Sequence, residues 1–389
     1  MATFNKDRLK TARLLAGLSL RQLEEALAFK VTYNSINKYE KGTMQPEAGT
    51  ILRMAEALNV TPSFFFERAT VQLGEINFRK QSSLTQAEIE LIKEKTKDKV
   101  QRYIETERLL SISKQFHNPI SRKQVKAAER AEEMAEIVRS EWGLGTNPIP
   151  NVIEMLEENE VKVIEIDAPD KFDGLSTYVD DGIPVAVVND SFTTERKRFT
   201  ALHELGHLMM NIKITAEKEK ENACHRFAGA LLFPAAEVKK TLGSTRTNIS
   251  MGELVTVKEE YGISAQAAMR RALDLQIISP LVYKQFFMKL SGNKKEEGLG
   301  SYKGMEKSYR LLQMVFRLTS EAVVSLEKAA ALAGMPVAQY RALYNNIPPE
   351  EEAFLYNTQS SAFAQAWAED EPVYSIDDVK TINPYYEGR

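Results

Sequence analysis

The stretch best equipped for chemistry is His203-Glu204-Leu205-Gly206-His207. The chain has only four histidines, and three of them, His203, His207 and His225, fall close together. Phe199, Leu202, Leu205 and Met209 around the motif recur at helical spacing. Four residues advance a helix by ~400°, so His203 and His207 project from one face ~6 Å apart and can share one zinc ion. Glu204 is rotated by ~100° from His203, beside the metal rather than on it. That is the place of a general base for a water whose pKa zinc lowers toward ~7. At this composition the five-residue pattern arises by chance well under ~1% of the time. The blander reading is a pair of ordinary helix histidines.

A catalytic zinc needs a third protein ligand and an open fourth position. The next helical stretch offers Glu217, Glu219, Glu221, Cys224 and His225. Glu221 lies far enough past His207 for a turn and a returning helix, and small residues such as Ala228 continue its face. His225 reads as an orienting neighbour of the ligands, a support for an oxyanion, or simple packing. Cys224 reads as a thiol sensitive to oxidation or as a small buried filler.

A second constellation lies near the N-terminus. Ser19 to Leu27, a turn, then Thr32 to Gly42 has the pattern of a helix-turn-helix. Thr32 is placed to cap the second helix, with Ile36 and Tyr39 facing inward. Tyr33, Asn34 and Asn37 face outward, and Asn suits bidentate contact with adenine. Arg21, Lys38 and Lys41 are placed for phosphates. Residues 1–70 carry ten Lys/Arg against seven Asp/Glu, opposite in sign to the whole chain at −3.

The elements that must position these groups follow from pattern. Residues 5–66 read as short helices broken at Gly17, Gly42 and Pro46, with a last one restarting at Thr61-Pro62-Ser63. Residues 84–112 predict one long helix, capped by Thr85 and Glu88, with a narrow stripe of Ile89, Ile92, Thr96, Val100 and Tyr103. Such a stripe suits a coiled-coil-like seam or a surface helix. A second helix is expected over about 121–142, before the boundary Asn147-Pro148-Ile149-Pro150. Beyond it come a helix at 152–158, strands near 161–166, 175–179 and 184–188, and helices near 193–211, 217–231, 250–258 and 264–274. The 182–189 run reads equally as an edge strand able to bind a peptide or as an internal strand. Residues 280–345 read as mostly helical, with a short helical pair around Glu327 to Pro336, and 351–389 as an acidic, partly ordered tail.

Two resemblances rest on these residues. Phe199 to Met210, followed by Glu221-Asn-Ala-Cys-His-Arg-Phe-Ala-Gly-Ala-Leu-Leu-Phe-Pro234, resembles the ImmA/IrrE-type metallopeptidases over about 150–275. The resemblance implies that His203, His207 and Glu221 bind zinc and that Glu204 is the catalytic base. It leaves Glu217 and Glu219 as a solvated face. Residues 5–66 resemble the Cro/repressor (XRE) helix-turn-helix family through Ile36-x-x-Tyr39-Glu40-x-Gly42, Pro46 and Leu52-x-x-Ala55-x-x-Leu58-x-Val60. The chain departs from that family at the turn, where Ala28-Phe29-Lys30 replaces the customary glycine and adds two positions.

Composition narrows the classes. Hydrophobic residues at 43% and charged residues at 27% suit a soluble globular chain and exclude a polycation. No apolar run reaches the ~18 residues of a membrane span, the N-terminus lacks a signal-peptide core, and the lone Cys224 excludes an internal disulfide, so the cytoplasm is the expected compartment.

The expected fold is therefore α+β, multidomain and mainly helical. It comprises a helix-turn-helix domain at 1–70, a helical linker or dimerisation region at 71–147, a zincin-like domain with a small sheet at 148–278, and a helical region with an acidic tail at 279–389. The leading functional expectation is a DNA-binding regulator fused to a zinc endopeptidase that cleaves a repressor-like protein, with double-stranded DNA as its other partner. A homodimer through 84–112 would supply two half-site readers. The second reading is a regulator or antitoxin whose peptidase-like domain senses a ligand without hydrolysis.

Overall fold

The computed structural model describes residues 3–66, 71, 73–74, 77–78, 84–112, 114–180 and 182–345. The expected acidic tail, 351–389, lies outside them. The chain separates into two units, Met1–Met314 and Val315–Arg389.

The first unit opens with α1 (Lys6–Leu15), α2 (Leu20–Ala26), α3 (Tyr33–Lys41), α4 (Ala48–Ala57) and a 3₁₀ turn (Pro62–Phe66). Ser19 and Gln22 form a reciprocal capping box on α2, and the Thr32 hydroxyl accepts from Ser35 N on α3. Leu9, Leu23, Ile36, Met54 and Phe65 are buried together as the core. Arg13 grips Glu40 with two bonds of 2.6 and 2.9 Å, tying α1 to α3. In the lengthened turn, Ala28 and Phe29 take left-handed φ values of 51° and 59° without being glycine. Phe29 N to Glu24 O at 3.0 Å and Tyr33 N to Glu24 Oε1 at 2.9 Å hold the turn, so the added length still delivers Thr32 to its cap.

Asn77–Phe78 form β1, and α5 spans Gln86–Leu109 behind its Thr85–Glu88 capping box. The predicted stripe on α5 is buried, but against the sheet of this same chain: Ile92 and Val100 cluster with Ile164, Ile166, Leu175 and Val187. That apolar seam is thus used at least in part within the chain. On another face, Thr11 of α1 donates to Glu94 at 2.7 Å. The expected 121–142 helix starts late. Gln124–Val125 is β2, and α6 runs Arg130–Glu141. The cause is pairing: β2 lies parallel to Asn211–Ile212 (β6), and Val125 O accepts from Lys213 N at 2.8 Å.

Next come α7 (Val152–Glu158), β3 (Lys162–Ile166), β4 (Gly174–Val179), β5 (Ile183–Asn189), α8 (Thr194–Met209), α9 (Glu217–Leu232), α10 (Ala235–Leu242), α11 (Met251–Tyr261), α12 (Ala265–Asp274) and α13 (Pro280–Leu290). The strands order as β1-β4-β5-β3, with β5 antiparallel to β4 and parallel to β3. The 182–189 run is thus an internal strand, and the edge reading does not hold. Val185 and Val187 face the α5 side, while Ala186 and Val188 belong to the core that includes α8.

Residues 291–309 are not helical. They form a strap across the first unit. Glu296 accepts from Ala265 N (3.1 Å) and Gln266 N (2.9 Å), capping α12, and from Lys258 at 3.1 Å. Glu306 accepts from Val152 N (3.2 Å) and Ile153 N (2.7 Å) at the start of α7 and pairs with Arg198 of α8. After α14 (Arg310–Ser320) the second unit contains α15 (Leu326–Ala333) and α16 (Val337–Asn345), the helical pair read near Glu327. Thr319 and Tyr340 share a 2.6 Å hydroxyl contact there.

A buried ionic cluster joins α5, α7, β3 and Arg310. Lys162 contacts Glu107 (2.5 Å) and Glu160 (3.0 Å), while Ser308 donates to Glu157. Burial pushes the Glu157 carboxyl up to about 7, against the pull of Ser308, Arg310 and Lys162. The native state therefore binds this proton more tightly than the unfolded chain, so stability falls as pH rises from about 4.5 through about 7 and then levels. Glu157→Gln removes that titration. Its stability relative to the parent, read by urea unfolding, is expected to improve by on the order of 2 kcal/mol between pH 5 and pH 8. A constant difference would contradict the assignment.

Candidate metal centre

The site is built where α8 and α9 pack closely. A Cβ on Gly206 would come within 3.4 Å of the Cys224 backbone and 3.3 Å of Phe227, so the missing side chain lets the helices approach. Ala223 and Ala228 are buried in the same core. The approach brings Glu221 onto the histidine face of α8. Its Oε2 lies 3.3 Å from His203 Nε2, its Oε1 lies 3.2 Å from His207 Nε2, and the two Nε2 atoms are 3.1 Å apart.

The two imidazoles and the carboxylate, which turns a different oxygen to each ring, thus bring one donor atom apiece within 4.8 Å of one another, close enough to share a zinc ion. Two imidazole nitrogens and one carboxylate oxygen are also zinc's usual donors. Among the described residues, these three form the one His/Cys/Asp/Glu group compact enough to hold a metal ion.

Burial opposes charge on His207, but Cys224 and Glu221 outweigh it and raise the imidazole to about 10. The same two histidines overcome burial at Glu221 and keep its carboxyl far below the usual range. A bound cation would displace the imidazole proton, so uptake tightens as pH rises.

Glu204 is 1% exposed and turned toward β4. Gly174 makes room for it: a Cβ there would meet Thr200 Cγ2 at 2.7 Å, Val187 O at 2.8 Å and Glu204 Oε1 at 3.2 Å. Nothing in the sequence spacing marks Gly174 as a neighbour of the histidine motif; a glycine at a strand start reads as a turn. Tyr178, farther along β4, donates to Leu208 O at 2.5 Å. Arg198 and Glu306, which support α8, were also missed, because their pairing spans 108 positions.

His225 stands outside the triad, with its ring 4.6 Å from that of His203 and 5.9 Å from Phe199. Cys224 is buried with Sγ 3.5 Å from His207 Nδ1, and burial raises its thiol pKa. Glu217 and Glu219 are exposed. In the N-terminal helices, Arg21, Thr32, Tyr33, Asn34 and Lys38 are exposed and Asn37 is half-buried, while Ile36 and Tyr39 face the core. The Thr32 hydroxyl is engaged by the helix cap, which leaves Tyr33, Asn34 and Asn37 to present the first turns of α3.

Comparison with known proteins agrees with both halves. Residues 9–65 match the helix-turn-helix family, and residues 156–273 match the IrrE N-terminal-like domain of the M78 peptidases. An uncharacterized HTH-type transcriptional regulator of Sinorhizobium medicae is 40% identical over 63 residues, 16% of this chain and 44% of that protein. One from Rhizobium meliloti matches to the same extent. A third, from Sinorhizobium fredii, is 38% identical over 60 residues, 15% of this chain and 41% of that protein. The chain thus spans less than half the length of these relatives.

Proposed function

We propose, for a chain that joins a helix-turn-helix domain to an IrrE-like domain of the M78 peptidases, that it is a DNA-binding transcriptional regulator whose middle domain is a zinc endopeptidase acting on a repressor-like protein. The observation that carries this reading is the convergence of His203, His207 and Glu221 with Glu204 beside them and outside the triad. Three ligands leave a fourth position for water or substrate, and a purely structural zinc has no use for the neighbouring carboxylate. When bound, zinc would acidify water and polarise the scissile carbonyl. Glu204 takes the proton from the attacking water and delivers it to the leaving amine. Cys224 and Glu221 steady His207, and Gly174 keeps β4 clear of the base.

No helix among the described residues is long and apolar enough to cross a membrane, which is compatible with action in the cytoplasm. The DNA-binding helices would hold the hydrolase at an operator where its target also sits, raising local concentration without a tight protease site. N-terminal labelling of a lysate treated with the zinc-loaded chain tests the reading. New termini should appear with the parent and not with Glu204→Gln; identical termini in both would reject it.

The DNA contacts give a separate expectation. On a duplex selected from random sequence, Asn34→Ala or Asn37→Ala should each weaken binding by ~1–3 kcal/mol and relax preference at one base pair. Lys38→Ala should weaken all sequences alike and lower the salt slope by about one. Equal losses on every sequence for the asparagine variants would remove them from base readout.

A further inference from the structure

The helical pair of the second unit has no part in the function argued above. α15 begins behind Ser325, whose hydroxyl accepts from Lys328 N at 3.3 Å. It ends at Gly334, whose φ of 73° is left-handed, and Met335 N donates back to Ala330 O at 3.1 Å. Gly334, Met335 and Pro336 are the whole link to α16, where Tyr340 N donates to Pro336 O at 2.9 Å. Two short helices joined by so brief a turn, opened by glycine, have the pattern of a helix-turn-helix. The N-terminal pair is built alike: Ser19 caps α2 before Leu20 as Ser325 caps α15 before Leu326. Gly334 even supplies the turn glycine that Ala28-Phe29-Lys30 lacks. The C-terminal pair lies outside residues 9–65, which match the helix-turn-helix family.

One face of α16 is committed to packing. Tyr340 is buried and its ring stacks on Tyr344 at 6.1 Å. Phe316 of α14 lies 5.8 Å from the first ring and 5.7 Å from the second. Ala329 and Ala330 on α15 and Ala342 on α16 are buried as well. A second face is open: Ala338, Gln339 and Leu343 are exposed, Leu343 by 47%. Gln339 and Leu343 stand one helical turn apart on it. Glutamine can bond N6 and N7 of adenine together, and an apolar side chain meets the methyl group of thymine. Their Cα atoms are ~6 Å apart along the helix, about two base-pair steps of ~3.4 Å. On α16, Leu343 is the one large apolar side chain that is exposed, far short of the ~1,200 Å² that a stable protein contact needs.

We infer that α15 and α16 are a second reader of double-stranded DNA, with α16 in the major groove, Gln339 on an adenine and Leu343 against the methyl of a thymine about two steps away. The inference goes beyond the N-terminal reader and does not involve the hydrolase. Between residues 315 and 345, Arg317, Lys328 and Arg341 stand against Glu321 and Glu327, so attraction to phosphate is weak. The second reader therefore works when the first already holds the duplex and raises its local concentration. The chain then recognises a bipartite sequence.

Selection of long random-sequence duplexes by the full-length chain tests this. Two motifs should be enriched on each bound duplex. Asn34→Ala should relax the first and leave the second. Gln339→Ala should leave the first, weaken binding to the bipartite duplex about tenfold and lose the preference for adenine in the second. Gln339→Glu should move that preference to cytosine, whose amino group a carboxylate accepts; a changed preference also shows that the variant folds. Replacing the thymine by deoxyuridine should weaken the parent about fourfold, the burial of one methyl group, and leave Leu343→Ala unaffected. A single enriched motif, or none, would overturn the inference, as would a second motif that both Gln339 variants bind like the parent. The first motif alone would leave the N-terminal reader standing while this inference fell. A self-association that Leu343→Ala abolishes, without a second motif, would assign the face to another copy of the chain and equally overturn it.

Discussion

Glu204→Gln is expected to keep about one zinc per chain and to lose hydrolysis by ~10²–10⁴-fold, the usual contribution of a positioned general base. Glutamine preserves the shape of the side chain beside Gly174 but cannot accept a proton. The triad does not include Glu204, so metal content should stay level. Replacing His203, His207 or Glu221 by alanine should instead lower zinc uptake and activity together, because each removes one of three ligands. Zinc titration with a chromogenic chelator and a discontinuous cleavage assay separate the two classes. Retained cleavage in Glu204→Gln would remove the base assignment; undiminished uptake in all three alanine variants would remove the metal site.

Glu306→Ala should destabilise the first unit by ~3–5 kcal/mol, the cost of leaving one member of a buried ion pair alone. Arg198 is fully buried, and its side chain lies within hydrogen-bond reach of Ile149 O at 2.6 Å and Tyr261 O at 3.3 Å. Those carbonyls orient the guanidinium but carry no full opposing charge. Burial pushes the Glu306 carboxyl up, and Arg198 with the amides of Ile153 and Val152 opposes that push. Losing the carboxylate also frees two N–H groups at the start of α7. A double variant, Glu306→Leu with Arg198→Met, should recover much of the loss, because two packed apolar chains need no counter-charge. Urea unfolding measures both. A loss under ~1 kcal/mol for Glu306→Ala would show that the strap is peripheral to the stability of α8.

The sequence by itself determined the local parts of this protein. His203 and His207 share a face because four residues close one helical turn, whatever the rest of the fold does. The caps at Ser19, Thr32 and Thr85 were legible for the same reason, since donor and acceptor sit within three residues. The burial of Ile92 and Val100 was also legible, but not what buries them: periodicity marks an apolar face without naming its partner. Only the tertiary structure decided that the partner is a sheet of the same chain, that the 182–189 strand is internal, that Gly174 clears a place for Glu204, and that Arg198 meets Glu306 across the strap. Each is a contact between distant segments, set by the packing of whole elements, and no spacing along the chain encodes which distant residue fills a given gap.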